Sequence, residues 1–337
     1  MEKIFQVALI GCGQMGAVHL ENIYYKENVH IKYVCDLNKE RAKEFQRKYN
    51  AEKITDSVEE CVSDPEVDIV IIATYPSTHL PFLKKCLQHK KHVLCEKPIA
   101  TNLQDGKEFV RLVKENSDCK VLVGHILRHN HSYNMVGRMI RRGAIGSPII
   151  MRMTQNHHTM NWDRYLTLIN ETSPIVDCGV HYIDVMQWFT GAKIESVSGI
   201  GQRTEPDVPC NKYNYGLITV KLTDGSVGYY EAGWTNTISS DNHKEFIGPK
   251  GSIKIIFKKD RMSHQEEGDL IEYYRYPEKT YEIINVQGER KPTDIQFDYL
   301  IKMITENYPG NPNIDDVYEC FKIAMEADAL ITGKENH

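Results

Sequence analysis

The chain has 337 residues, more than one hydrophobic core usually organises, so two domains are expected and a single small binding module is not. Lys and Arg (41) nearly balance Asp and Glu (46), and the formal charge of -5 argues against nucleic acid or an anionic membrane as partner. The first apolar run breaks at Gly11, and no uncharged stretch is long enough to cross a bilayer, so a cytoplasmic protein is expected.

Residues 3–124 alternate short apolar runs with helical patterns, the signature of βαβ units and a parallel sheet. Strands are predicted at 4–10, 30–35, 67–73, 92–95 and 120–123, with amphipathic helices at 39–49 and 103–115 among those between them. The spacing therefore gives a doubly wound Rossmann domain over 1–124.

The first strand runs into Gly11-Cys12-Gly13-Gln14-Met15-Gly16, a G-x-G-x-x-G loop that opens a helix. The first glycine allows the tight turn, the second lets a pyrophosphate approach the backbone, and the third lets helix pack on strand. Asp36 ends the second strand about 20 residues on, where a carboxylate accepts from the ribose hydroxyls. No arginine follows directly, and a 2'-phosphate would meet like charge, so NAD is expected in preference to NADP. A helix-capping role for Asp36 is the structural alternative.

From about 147 the pattern changes to longer alternating runs, such as 213–222 and 226–234, broken by turn signals at Thr223-Asp224-Gly225 and Gly248-Pro249-Lys250-Gly251. This predicts an α+β domain over 125–337 with a mainly antiparallel sheet. A helix is predicted to start at His181, with Tyr182, Val185, Met186 and Phe189 on one face and Gly191 as the stop. Two more are predicted at 294–306 and 315–330, which could return to the first domain. Nine cysteines without a C-x-x-C pair indicate free thiols, with Cys12 in the glycine loop the one to test with an alkylating agent.

Three ordered blocks add to the fingerprint. Cys95-Glu96-Lys97-Pro98 resembles the E-K-P motif of the Gfo/Idh/MocA oxidoreductases, and Asp177-Cys178-Gly179-Val180-His181-Tyr182-Ile183-Asp184 is similar to their D-x-G-x-H-x-x-D segment. Ala73-Thr74-Tyr75-Pro76-Ser77-Thr78-His79 resembles their A-T-P-x-x-x-H loop with one residue inserted. The resemblance implies a Rossmann domain followed by a large open sheet, NAD(P), a sugar, nucleotide sugar or inositol as substrate, and a homodimer or homotetramer assembled through the sheet. It places Gly11, Gly13, Gln14, Met15, Gly16, Asp36, Thr74, Tyr75, His79, Glu96 and Lys97 at the cofactor, with Glu96 either on the ribose or fixing the lysine loop. The tyrosine-rich strands, with Tyr213, Tyr215, Tyr229, Tyr230 and Trp234, suit either a sheet-to-sheet contact or ordinary core.

Hydride transfer from a secondary alcohol needs a base that removes the hydroxyl proton. A lysine, protonated up to about pH 10.4 in water, would be pushed toward its neutral form in a dry cleft beside a positive nicotinamide. Lys97 and His181 are therefore expected to share proton transfer, in either order, with Asp177 on a substrate hydroxyl. Pro98 is expected to be a cis or rigid turn residue that aims Lys97. Arg128 could bind the polyol or form a salt bridge between domains, and His157 and Trp162 lie in a segment rich in sugar-binding groups. The adjacent His157 and His158 lack a third ligand at regular spacing, so no metal is expected. Ahead of Asp177, Pro174 is expected to stiffen a loop in which Thr172 or Ser173 offers a hydroxyl. Two other activities share these residues: glycoside cleavage with recycled NAD, and non-catalytic NAD sensing.

Overall fold

The computed structural model describes residues 3–159, 161–257, 268–288 and 291–333. It divides into two compact units, 1–126 with 291–318, and 127–290 with 319–337.

In the first unit, β1 (Phe5–Ile10), β2 (Val29–Cys35), β3 (Lys53–Thr55), β4 (Ile69–Ile72), β5 (His92–Cys95) and β6 (Val121–Val123) form a parallel sheet in the order β3-β2-β1-β4-β5-β6. That order reverses between β1 and β4, the place where open α/β sheets take their ligands. The middle of the sheet is apolar, as a sheet covered on both faces requires: all four residues of β4, Ile-Val-Ile-Ile, are buried. Helices α1 (Gln14–Glu21), α2 (Lys39–Tyr49), α3 (Val58–Ser63), α4 (His79–Gln88) and α5 (Leu103–Glu115) are interleaved with the strands. The helix α9 (Thr293–Glu306) also belongs to this unit, where Phe297, Leu300 and Met303 join Phe5, Val7 and Leu20 in one core. Each such side chain contributes roughly 1.5–3 kcal/mol on burial.

The second unit contains α6 (His131–Arg141), α7 (Trp162–Glu171) and α8 (Pro174–Thr190), and eight strands. These are β7 (Ile150–His158), β8 (Ile194–Gln202), β9 (Tyr215–Leu222), β10 (Val227–Thr235), β11 (Lys244–Gly248), β12 (Gly251–Ile256), β13 (Asp269–Arg275) and β14 (Thr280–Val286). Their order is β14-β13-β12-β11-β7-β10-β9-β8, antiparallel except where β7 and β10 run parallel. The helix α8 lies against the sheet, with Tyr182 stacked on Tyr230 at 4.5 Å and Phe189 against Phe246 at 5.1 Å. Tyr213, Tyr230 and Trp234 are thus core side chains, at most 4% exposed. The last helix, α10, spans Ile314–Thr332. No helix among the described residues is long and apolar enough to cross a membrane.

The sequence placed the start of the central helix at His181, but α8 begins seven residues earlier. Pro174 occupies its first turn, where the missing N–H is no loss, and the Ser173 hydroxyl accepts from the Val176 amide as N-cap. Pro174 therefore initiates a helix instead of stiffening a loop. The Ser173 and Tyr213 hydroxyls also meet at 2.9 Å, which commits Ser173 to structure.

Candidate active site

In the first unit the glycine loop is built for an anion. Gly11 adopts φ +98°, and a Cβ there would lie 2.5 Å from the Ala73 carbonyl oxygen. At Gly16 it would lie 2.1 Å from the Gly11 oxygen, so both positions are closed to a side chain. Gly13 is different: a Cβ would meet nothing within 4 Å. It is the N-cap of α1, no side chain caps that helix, and Gln14 and Met15 form its first turn. Open space before uncapped helix amides fits a pyrophosphate. Asp36 is not the cap of α2, since Asn38 holds that position. Its carboxylate accepts from the Cys12 amide and the Asn38 amide, both at 2.8 Å, and so sits against the glycine loop. Arg41 approaches it at 3.9 Å.

Lys97 follows β5 at the carboxyl end of the sheet and precedes a cis peptide bond to Pro98. Glu96 was expected at the cofactor. The residue is 7% exposed, and its carboxylate pairs at 2.7 Å with His19, itself 1% exposed, on α1. Burial acts to raise the Glu96 carboxyl, but the hydrogen bond from His19 and the nearby Lys97 and His79 outweigh it, leaving it below the usual carboxylate range. His79, also expected at the cofactor, packs beneath the turn that carries Lys97. The ring is fully buried, with Nδ1 2.8 Å from the Pro98 oxygen and Nε2 3.1 Å from the Thr74 oxygen, and burial lowers its proton affinity. The neutral ring has one N–H, which serves one of the two oxygens, and it packs between the Lys97-Pro98 turn and the loop after β4. In that loop the Thr74 and Thr78 hydroxyls meet at 2.6 Å, while Tyr75 stays 41% exposed.

In the second unit α8 is buried over most of its surface, with Asp177, His181, Trp188 and the terminal Thr190 half-exposed along it. The spacing of Asp177 and His181 puts both on one face. Arg128, expected on a polyol or in a salt bridge between domains, is paired within its own unit. Its guanidinium grips the buried Asp184 carboxylate through Nε at 2.8 Å and Nη2 at 2.6 Å, and lies over the Trp188 ring at 4.8 Å. Both partners belong to this unit, so the pair is not a bridge between domains.

Beside His157 stands a residue that the sequence reading did not single out, Tyr165. Its ring lies 6.3 Å from that of His157 and edge-on to Trp234 at 5.6 Å. Burial pushes the Tyr165 phenol up, with Cys178 and Asp177 adding to the shift, so it belongs to the surroundings of Asp177. The indole N–H of Trp162 reaches Asp207 at 3.4 Å. The signal for Tyr165 was weak, a polar aromatic in the first turns of an amphipathic helix. Cys12 is 2% exposed, and burial, followed by the Asp36 charge, holds its thiol far above the usual range. It is a poor alkylation target, and Cys210 is the exposed thiol.

Residues 5–125 match a family model described as an oxidoreductase family with an NAD-binding Rossmann fold, and residues 133–254 match the GFO/IDH/MocA C-terminal domain. A scyllo-inositol 2-dehydrogenase (NAD(+)) of Bacillus subtilis is 30% identical over 261 residues, covering 76% of this chain and 75% of that protein. An inositol 2-dehydrogenase of Rubrobacter xylanophilus is 28% identical over 256 residues, 74% of this chain and 70% of its own. Among solved structures, scyllo-inositol dehydrogenase from Lactobacillus casei with bound NAD(H) and scyllo-inositol aligns with a TM-score of 0.78. It shares 21% identity, with 98% of each chain covered.

Proposed function

Because this chain belongs to the Gfo/Idh/MocA family of NAD-binding oxidoreductases, we propose that it oxidises a secondary hydroxyl of a cyclitol or related sugar, with Lys97, Asp177 and His181 doing the proton chemistry. The observation that carries this is the position of Lys97. It follows β5 by two residues at the carboxyl edge of the parallel sheet whose first strand ends in the open glycine loop. Gly11, Gly13, Gln14, Met15, Gly16 and Asp36 would hold NAD, which when bound supplies the hydride acceptor. Thr74 and Tyr75 line the next loop of the same sheet edge.

Lys97 takes the hydroxyl proton as the carbon–hydrogen bond breaks, which avoids a protonated ketone. Asp177 holds a substrate hydroxyl and orients the ring. His181, one turn on, passes the proton between substrate and solvent or replaces Lys97 as acceptor. His157, Tyr165 and the face of Trp162 offer the hydrogen bonds and apolar surface that a polyol ring uses. The relatives named inositol 2-dehydrogenase support a cyclitol as the first substrate to test.

The assay is NADH formation from NAD with scyllo-inositol, myo-inositol, aldoses and nucleotide sugars. Turnover on a cyclitol is expected, and silence across the panel would refute the reading. Glycoside cleavage without net NADH would refute it in favour of a recycled cofactor. We also propose a homodimer or homotetramer formed through the outward sheet face, where Ile150 and Val227 lie side by side at 47% and 42% exposure. Light scattering would read a single-chain mass if that is wrong.

A further inference from the structure

We propose that His19 acts through Glu96 as a positioning pair that sets the placement and the charge environment of Lys97. The inference rests on Lys97 being the group that moves the proton. His19 lies three residues after Gly16, so the helix whose start fits phosphate also carries the partner of Glu96. The two residues are 77 apart in sequence and both are buried. An ionised carboxylate only accepts hydrogen bonds, so His19 Nε2 must carry the hydrogen. Glu96 is boxed on its other side: a Cβ at Gly124 would come 2.9 Å from Glu96 Oε2. That same oxygen lies 3.4 Å from the Lys97 amide nitrogen. One residue on, the buried His79 holds the Pro98 carbonyl. Lys97 thus extends from a turn whose flanking residues are each fixed by a buried histidine from a different helix.

The pair also has an electrostatic consequence. The groups facing Glu96 are His19 from α1, His79 from α4, and Lys97 and Cys95 along its own strand end. Held below the usual carboxylate range, Glu96 stays ionised through neutral pH and favours the ammonium form of Lys97. Alcohol oxidation needs Lys97 neutral, so the carboxylate raises the pH at which the acid limb of turnover falls away. Removing that charge lowers the proton affinity of Lys97 and moves the limb to lower pH.

The test is the pH profile of NAD-dependent turnover for Glu96→Gln, with kcat and KM for His19→Leu and His19→Gln. Glu96→Gln should move the acid limb down by about half a pH unit or more. His19→Leu should lower kcat at least tenfold, within the roughly 100-fold loss that a misplaced catalytic group can cause. KM for NAD should change by less than about threefold, and His19→Gln, which keeps an N–H donor, should recover most of kcat. An acid limb that stays in place in Glu96→Gln overturns the pairing whatever kcat does, and it decides the matter if His19→Leu fails to fold. Full turnover by Lys97→Ala would sink the reading of Lys97 itself. An inactive Lys97→Ala with an unmoved Glu96→Gln limb sinks only the pairing.

Discussion

Gly13→Ala separates cofactor binding from folding at a single methyl group. At Gly13 the backbone has φ -88° and ψ -163°, which alanine adopts freely, and the added Cβ meets no protein atom within 4 Å. Loss of backbone freedom in the unfolded chain stabilises by about 0.4–1 kcal/mol, and the poorer N-cap preference of alanine offsets a similar amount. The melting temperature should therefore hardly move. The methyl does occupy the approach to the first-turn amides of α1. Losing one or two hydrogen bonds to a charged group, at roughly 1.5–3 kcal/mol each, should weaken NAD by at least about tenfold. Gly16→Ala is the control, because its Cβ would fall 2.1 Å from a backbone oxygen and the loop must shift whether or not NAD is present. Calorimetric titration with NAD and thermal melts of the three proteins read both quantities. NAD binding within twofold of wild type in Gly13→Ala would refute the placement of the pyrophosphate, as would a melting point as low as that of Gly16→Ala.

Asp184→Asn leaves the Arg128 guanidinium, 10% exposed, without its carboxylate, and should cost about 3–5 kcal/mol in chemical denaturation; a loss under about 1 kcal/mol would show that the pair is not structural. Ser173→Ala removes the N-cap of α8 and should cost about 1 kcal/mol, and an unchanged denaturation midpoint would contradict the cap. Brief alkylation followed by peptide mass spectrometry should find label on Cys210 before Cys12, and the reverse order would contradict the burial of the glycine-loop thiol.

What could be read ahead of the structure was local. The glycine loop, Asp36 at a strand end and the apolar strands are each decided within a few residues by φ, hydrogen-bonding capacity and period. The three-residue β3 is too short to show a period. Pro174 was misread because a proline that breaks a helix in its middle starts one in its first turn, and only the cap of Ser173 distinguishes the two. What the sequence did not show is partners far apart in the chain: Glu96, His79 and Arg128 meet His19, the Pro98 carbonyl and Asp184. Separations of 77 residues for Glu96 and 56 for Arg128 leave no trace in spacing.

The most direct test of the account compares wild type and Lys97→Ala for NADH formation from a cyclitol, with NAD affinity measured on the same samples. Removing a general base should lower kcat by about 100-fold or more, while NAD affinity stays within about threefold. Turnover by Lys97→Ala at the wild-type rate would contradict the assignment of proton transfer to Lys97.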